Sequence, residues 1–329
     1  MQTLGEVELC FPQLLNSSCR KSKYPSSGSM LTYVTLSSVS LLTVALNMLV
    51  ILSISLFKKL HSPTNLFLLS LAVSDCMAGF LVSFQIMLID GCWYLGDLVC
   101  ALYFVLDYSV TSVSIGTMVL ISVDRYVAIC YPLYYSRRVT EERAKVCVVL
   151  SWTLSLLYQC LLLKDNLNHP GRYNSCFGEC VVVVSDIGGV FDLFVSFIGP
   201  VTVIIVLYLR VFIVAVSQAR SMHAHVAAVT FQKSVKETAK KSEMKAALTL
   251  GVVVVVFLLC TCPYFCVTLM AQNAGVSASS VAFLLFYLNS TLNPLIYALF
   301  YPWFRKSVKL IISLQILKPG SCDTNMLNH

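Results

Sequence analysis

Three carboxylates fall inside long apolar runs of this chain: Asp75, Asp107 and Asp192. No Lys, Arg or His shares their depth, since Arg125 and Arg210 stand at the inner ends of their runs. A carboxylate in an apolar setting is expensive and needs a partner. Where the chain supplies none, the counter-charge comes from solution, so the chemistry these residues favour is capture of a cation. Asp107 and Arg125 are 18 residues apart on one run, which is about five helical turns and about 27 Å. The two therefore point the same way from opposite ends of a rod nearly as long as a bilayer's hydrocarbon core is thick. An acid near one face and an arginine near the other describe a device that senses outside and reports inside.

The residues around each charge sharpen that chemistry. Tyr287 is expected to hydrogen-bond Asp107 and keep it ionised. Thr111, Tyr108, Tyr264, Phe265 and Phe286 are candidates for the wall of an ammonium site, the aromatic ones by cation–π attraction. Asp192 precedes Pro200 by eight residues, about 12 Å along a helix axis, with Ser196 and Pro200 on the same face. Two carboxylates facing one cavity would match a diamine, because a monoamine neutralises only one of them. The alternative is a monoamine held by Asp107 alone, with Asp192 hydrated or contacting a hydroxyl. Asp75, Asn47, Ser114, Asn289, Ser290 and Asn293 form either a hydrated structural cluster or a sodium site, and both readings stand. At the inner end Asp124-Arg125-Tyr126 frames an arginine. Arg125 is expected to pair with Glu243 across the third and sixth runs, and breaking that pair would release a two-state element.

These side chains need elements to hold them. The chain has 329 residues, 57% hydrophobic and 12% charged, with a mean hydropathy of +0.79. Seven apolar runs of spanning length occur near 31–56, 66–90, 99–129, 146–163, 187–214, 246–271 and 279–300. They predict an all-α membrane protein, a seven-transmembrane helix bundle with a short amphipathic eighth helix beginning at Pro302-Trp303-Phe304. The expected organisation is an outer N-terminus over 1–30, the bundle over 31–301, and the amphipathic helix and inner tail over 302–329. The bias of Lys and Arg sets the orientation. With the N-terminus outside, only Arg20, Lys21, Lys23, Lys164 and Arg172 lie on the outer side of the 23. The net charge of +7 is this inward bias, so nucleic acid is not implied, and the first 30 residues carry no apolar leader. Arg137, Arg138, Lys240, Lys241, Arg305 and Lys306 are expected to meet lipid headgroups.

Six of the fourteen cysteines fall outside, where disulfides persist. Cys180 is the partner expected for Cys100. Cys10, Cys19, Cys92 and Cys176 allow three pairings, and two bridges are expected to tie the N-terminus down as a lid. Asn16 heads a glycosylation acceptor, whereas Asn289-Ser290-Thr291 matches the same motif inside a span. Pro263 kinks the sixth run. A retinal pigment needs a lysine within 279–300, and none is there. A zinc hydrolase needs buried histidines, yet His61, His169, His223, His225 and His329 all lie in loops or the tail. Enzyme readings therefore fail, and an ion-coupled transporter, the competing class, would be expected to show repeated halves.

Asn47, Leu71-Ala72-Val73-Ser74-Asp75, Asp124-Arg125-Tyr126, Trp152, Pro200 with Tyr208, Pro263 and Asn293-Pro294-Leu-Ile-Tyr297 together resemble rhodopsin-like G-protein-coupled receptors. The stretch from Asn289 to Phe304, the Cys176-Phe-Gly-Glu-Cys180 loop and the paired N-terminal cysteines look like the trace amine-associated receptors, with a fish-type olfactory member as the nearest pattern. The resemblance implies a plasma-membrane receptor for amines, coupled to a stimulatory or olfactory G protein that raises cAMP. It also implies that Pro132 and Leu133 insert into that G protein, that Tyr208 and Tyr297 take part in activation, and that members carrying both outer acids tend to recognise diamines. Three positions depart from the pattern. Leu46 stands where Gly is usual, Thr261 where relatives carry an activation tryptophan, and Leu284 where amine receptors place a pocket tryptophan.

Overall fold

The computed structural model describes residues 8–14, 16–21, 26–226, 251–267 and 276–315. Its architecture is a helix bundle. We label the spans α1 (Ser26–Leu56), α2 (Pro63–Asp90), α3 (Asp97–Cys130), α4 (Glu141–Leu162), α5 (Asp186–Leu193, continued through Gly199–Val226), α6 (Gly251–Val267) and α7 (Val276–Phe300), followed by the surface helix α8 (Pro302–Ile312). Six of these helices are long and apolar enough to cross a membrane, and α6 is a shorter apolar helix among the described residues. Helix α1 starts at Ser26, and α5 continues to Val226. Helical backbone satisfies its own hydrogen bonds, so it can project beyond the hydrocarbon into headgroups without cost.

Local chemistry sets the helix ends. Ser62 accepts from the Asn65 backbone N–H ahead of Pro63 at the first helical position of α2, and Thr140 and Ser185 cap α4 and α5 in the same way. The inner half of the bundle is held by one apolar cluster drawn from all seven spans, including Ile54, Leu71, Ile121, Ala144, Ile204, Phe257 and Tyr297. The Arg305 guanidinium also donates to the Ala298 and Leu299 carbonyls at 3.0 and 2.8 Å, satisfying the last turn of α7. Lys240 and Lys241 lie outside the described residues.

The outer end is closed by a small covalent lid. Disulfides join Cys100 to Cys180, Cys10 to Cys92 and Cys19 to Cys176. Between Glu8 and Lys21 the N-terminus folds back on itself, with Cys10 N–H donating to the Cys19 carbonyl at 2.9 Å and Lys21 N–H to the Glu8 carbonyl at 2.9 Å. Its edge pairs with the loop after α4, Phe177 N–H donating to Ser17 and Cys19 N–H to Phe177. Phe11 packs edge-on against Phe177 with ring centres 4.8 Å apart. Gly178 (φ +96°) sits beneath that ring, where an added Cβ would come within 2.7 Å of Phe11 Cε2, so the close approach requires glycine. Asn16 is exposed on the turn of this lid. In the same loop Asp165 is held below the usual carboxylate range by the hydroxyl of Tyr173, with Arg172 adding to it.

Candidate functional site

Beneath the lid lies a cavity of about 600 Å³, bounded by α2 to α7. Asp107 reaches it from α3 and Asp192 from α5, and Thr111, Tyr108, Tyr264, Phe265, Phe286 and Tyr287 complete its wall. All eight residues expected to bind ligand therefore come to one space. No basic residue lines it among the described residues. Tyr108 and Tyr264 are within electrostatic range of both carboxylates. Tyr264 packs on Phe286 at 4.7 Å and edge-on to Phe265 at 5.3 Å, while Phe265 stacks on Phe197 at 3.9 Å.

One expected contact is not made. The Tyr287 hydroxyl lies beside Tyr103 and makes no hydrogen bond to Asp107 among the described residues, and Tyr103 donates to Gln85 Oε1 at 2.9 Å. The reason is local. Tyr103 lies one turn outward of Asp107 on α3, and its phenol is fixed by Gln85. No described residue hydrogen-bonds the Asp107 carboxylate. Asp192 is different: Ser196, four residues on, donates its hydroxyl to Asp192 Oδ1 at 2.7 Å.

The aim of Asp192 depends on an irregular turn. Residues Phe194–Ile198 form a π turn, closed by the Gly199 N–H donating to the Phe194 carbonyl five residues back. Pro200 explains it, because proline lacks the N–H that a regular helix would give Ser196 and its ring crowds that carbonyl. A Cβ at Gly199 would meet the Phe194 carbonyl oxygen at 3.0 Å, so the widened turn favours a residue without one.

A second, smaller cavity of about 30 Å³ lies deeper, lined by Asp75, Ser114, Asn289, Ser74 and Ser290 among others. Thr111, Phe286 and Tyr287 line both spaces. Asn293 Nδ2 donates to Asp75 Oδ2 at 2.8 Å, whereas Asp75 Oδ1 has no hydrogen-bond partner among the described residues. Asn47 stands apart from this lining. Its amide spans α1 and α7 by donating to the Thr43 and Ser290 carbonyls at 3.0 and 2.9 Å. Thr261 is buried against the small cavity, and Leu284 packs with Leu36, Val39, Val82 and Tyr287.

At the inner end Arg125 is buried and paired with its neighbour Asp124, with Nε 3.0 Å from Asp124 Oδ2. Thr64 on α2 donates to the same oxygen at 2.8 Å, and Tyr135 donates to Asp124 Oδ1 at 2.9 Å. Glu243, the partner expected for Arg125, lies outside the described residues. Tyr208 and Tyr301 are within electrostatic range of Arg125, Tyr297 is fully buried, and Tyr126 packs edge-on to Tyr131. Pro132 opens a two-turn helix, Pro132–Arg138, on which Leu133 is 86% exposed. Residues that the sequence reading passed over also line the large cavity: Gln85, Ser112 and Gln159. The available signal was their polarity inside apolar runs, where such side chains face the bundle interior.

Residues 46–297 match the family described as 7 transmembrane receptor (rhodopsin family). Trace amine-associated receptor 13c of Danio rerio is 38% identical over 99% of this chain and 98% of its own length. Trace amine-associated receptor 7b of Rattus norvegicus is 35% identical over 98% of this chain and 93% of its own, and that of Mus musculus 36% over 99% and 94%.

Proposed function

Because the chain belongs to the rhodopsin family of seven-transmembrane receptors, and within it to the trace amine-associated receptors, we propose that it is a diamine receptor signalling through a stimulatory or olfactory G protein to raise cAMP. Family membership makes it a multi-pass plasma-membrane receptor and not an enzyme or a transporter. The observation that carries the diamine reading is that Asp107 and Asp192 line one cavity with no basic side chain on its described wall. A diamine brings an ammonium for each carboxylate and an alkyl chain for the aromatic middle. A monoamine leaves one buried carboxylate without a counter-ion, which is costly. The Ser196 bond to Asp192 favours the second reading, a monoamine held by Asp107 alone, since it gives the second acid a partner of its own.

On this reading ligand binding biases the inner end, where Arg125, Asp124, Tyr126, Tyr208 and Tyr297 meet the G protein together with Pro132 and Leu133. A sodium ion at Asp75 belongs to the same proposal. Asp75 Oδ1 is buried and lacks a hydrogen-bond partner among the described residues, and oxygen donors from Ser74, Ser114, Asn289 and Ser290 surround it, the donor set a hard cation takes. When bound, the ion would supply the counter-charge that the chain does not.

The test is the cAMP response of cells expressing the receptor to matched mono- and diamines. Losing one partner of a buried charge pair costs about 2–5 kcal/mol, so Asp107→Asn and Asp192→Asn should each lower diamine potency by roughly thirty-fold or more. Intact diamine potency in Asp192→Asn, with loss in Asp107→Asn, would leave the monoamine reading standing.

A further inference from the structure

The loop between α4 and α5 is tied down on its way to the first turn of α5. Cys180 is bonded to Cys100, and the Val181 N–H donates to Asn174 Oδ1 at 3.2 Å. Two residues on, a single side chain takes both backbone groups of Val183. Asn166 Nδ2 donates to the Val183 carbonyl at 2.8 Å, and the Val183 N–H donates to Asn166 Oδ1 at 3.0 Å. Asn166 belongs to the short helix Lys164–Asn168 and is 4% exposed. Its amide stands in for one residue of a neighbouring strand. Val181 and Val183 are exposed while Val182 and Val184 are half-buried, the two-residue alternation of extended chain. Of these valines Val184 lines the large cavity. Its Cγ1 lies 3.2 Å from where a Cβ on Gly188 would stand, and Leu162, another wall residue, comes within 3.3 Å of the same point. Gly188 and Asp192 both belong to the first part of α5 and, four residues apart, share a face. Val184 therefore packs on α5 one turn outward of Asp192.

We infer that Val184 is a specificity-determining residue that limits how far a diamine extends past Asp192, and that Asn166 is the positioning residue that holds it over that end of the cavity. The inference rests on the two-carboxylate reading of the site. The separation of Asp107 and Asp192 selects the chain length whose ammonium groups reach both acids. A longer chain keeps both contacts only by bulging or by pushing its second ammonium outward, and outward lies Val184. A methylene forced against packed side chains is costly, so the branched valine turns a loose preference for length into a cut-off. Asn166 acts through the backbone. It pairs both polar groups of Val183, and without it those groups turn to water, the loop is held less firmly, and Val184 moves with it.

The test is a length profile. Affinities of a homologous series of linear α,ω-diaminoalkanes are read by competition against a tritiated member of the series, on membranes from cells with matched surface staining. Each longer diamine is expressed relative to the wild type's best ligand. Val184→Ala removes both branch methyls, so the relative affinity of the next longer diamine should rise roughly ten-fold, the worth of a methylene in an apolar pocket. Val184→Ile should move the preferred length the other way. Asn166→Ala should relax the cut-off as Val184→Ala does, and should add nothing once Val184 is alanine, a coupling that a general loss of stability would not produce. The Val184 variants keep the inference testable where Asn166→Ala fails to reach the surface. An unchanged profile in Val184→Ala would overturn the specificity role. An Asn166→Ala effect that persists in full in the Val184→Ala background would overturn the positioning role. Asp192→Asn separates the two levels. If it leaves diamine affinity unchanged, the two-carboxylate reading itself fails and this inference with it. If it cripples diamine affinity while Val184→Ala keeps the wild-type profile, only this inference fails.

Discussion

The carboxylate of Asp107 faces the cavity without a hydrogen bond from any described residue, and the Tyr287 hydroxyl stands beside Tyr103, which Gln85 holds. Tyr287 would otherwise supply a donor that competes with the ligand's ammonium. Tyr103→Phe removes the anchor and frees the Tyr287 hydroxyl to turn toward Asp107. One neutral hydrogen bond is worth about 1 kcal/mol, so amine potency should drop roughly five-fold in a cAMP dose–response at matched expression. Unchanged potency would mean that the tyrosine pair does not control the acid.

Among the elements, α5 has the least regular backbone near the site. The π turn at Phe194–Ile198 inserts one extra residue between Asp192 and the inner part of the helix, and so sets where Asp192 points relative to residues below Pro200. Replacing the proline restores an N–H for Ser196 and lets the helix tighten. An α-helix turns about 100° per residue, so losing the insertion would rotate Asp192 away from the cavity. Pro200→Ala should therefore weaken diamines more than monoamines, read as the ratio of their potencies in one cell line. A uniform change in both would show that the turn serves stability rather than aim.

For the whole molecule, the outer cavity and the inner arginine belong to one bundle, with α3 carrying Asp107 at one end and Arg125 at the other. The described inner network is Asp124, Arg125, Thr64 and Tyr135, tying α3 to α2 and to the loop helix after α3. Thr64 donates to Asp124 and accepts from Arg125 at once. Thr64→Val keeps the shape and removes both bonds, so the arginine is restrained less. Basal cAMP should rise several-fold over the wild type at equal surface staining, in line with about 1 kcal/mol per hydrogen bond. A basal level equal to wild type would place the restraint elsewhere.

Much of this was legible before any coordinates. Runs of about twenty apolar residues must become membrane helices, because lipid offers no other partner for the backbone. Helical period alone put Asp107 and Arg125 on one face of α3, and burial cost alone marked Asp75, Asp107 and Asp192 as acids that face the bundle interior. Local chemistry also carries the caps at Ser62, Thr140 and Ser185, each a hydroxyl residue placed just ahead of its helix. What sequence left open was every choice between partners that are near one another in space but far apart in the chain. Three pairings of Cys10, Cys19, Cys92 and Cys176 were equally consistent with their positions, and only the folding of residues 8–21 against the loop after α4 brings Cys10 to Cys92 and Cys19 to Cys176. Tyr287 was expected to meet Asp107, and the packing of α2, α3 and α7 sets it beside Tyr103 instead. Gln159 reads as one more polar residue in an apolar run until α4 sets it against Ser112, beside the cavity that Asp107 and Asp192 share. Periodicity and burial act along one helix, whereas the choice among hydrogen-bond and disulfide partners is made by distances between helices.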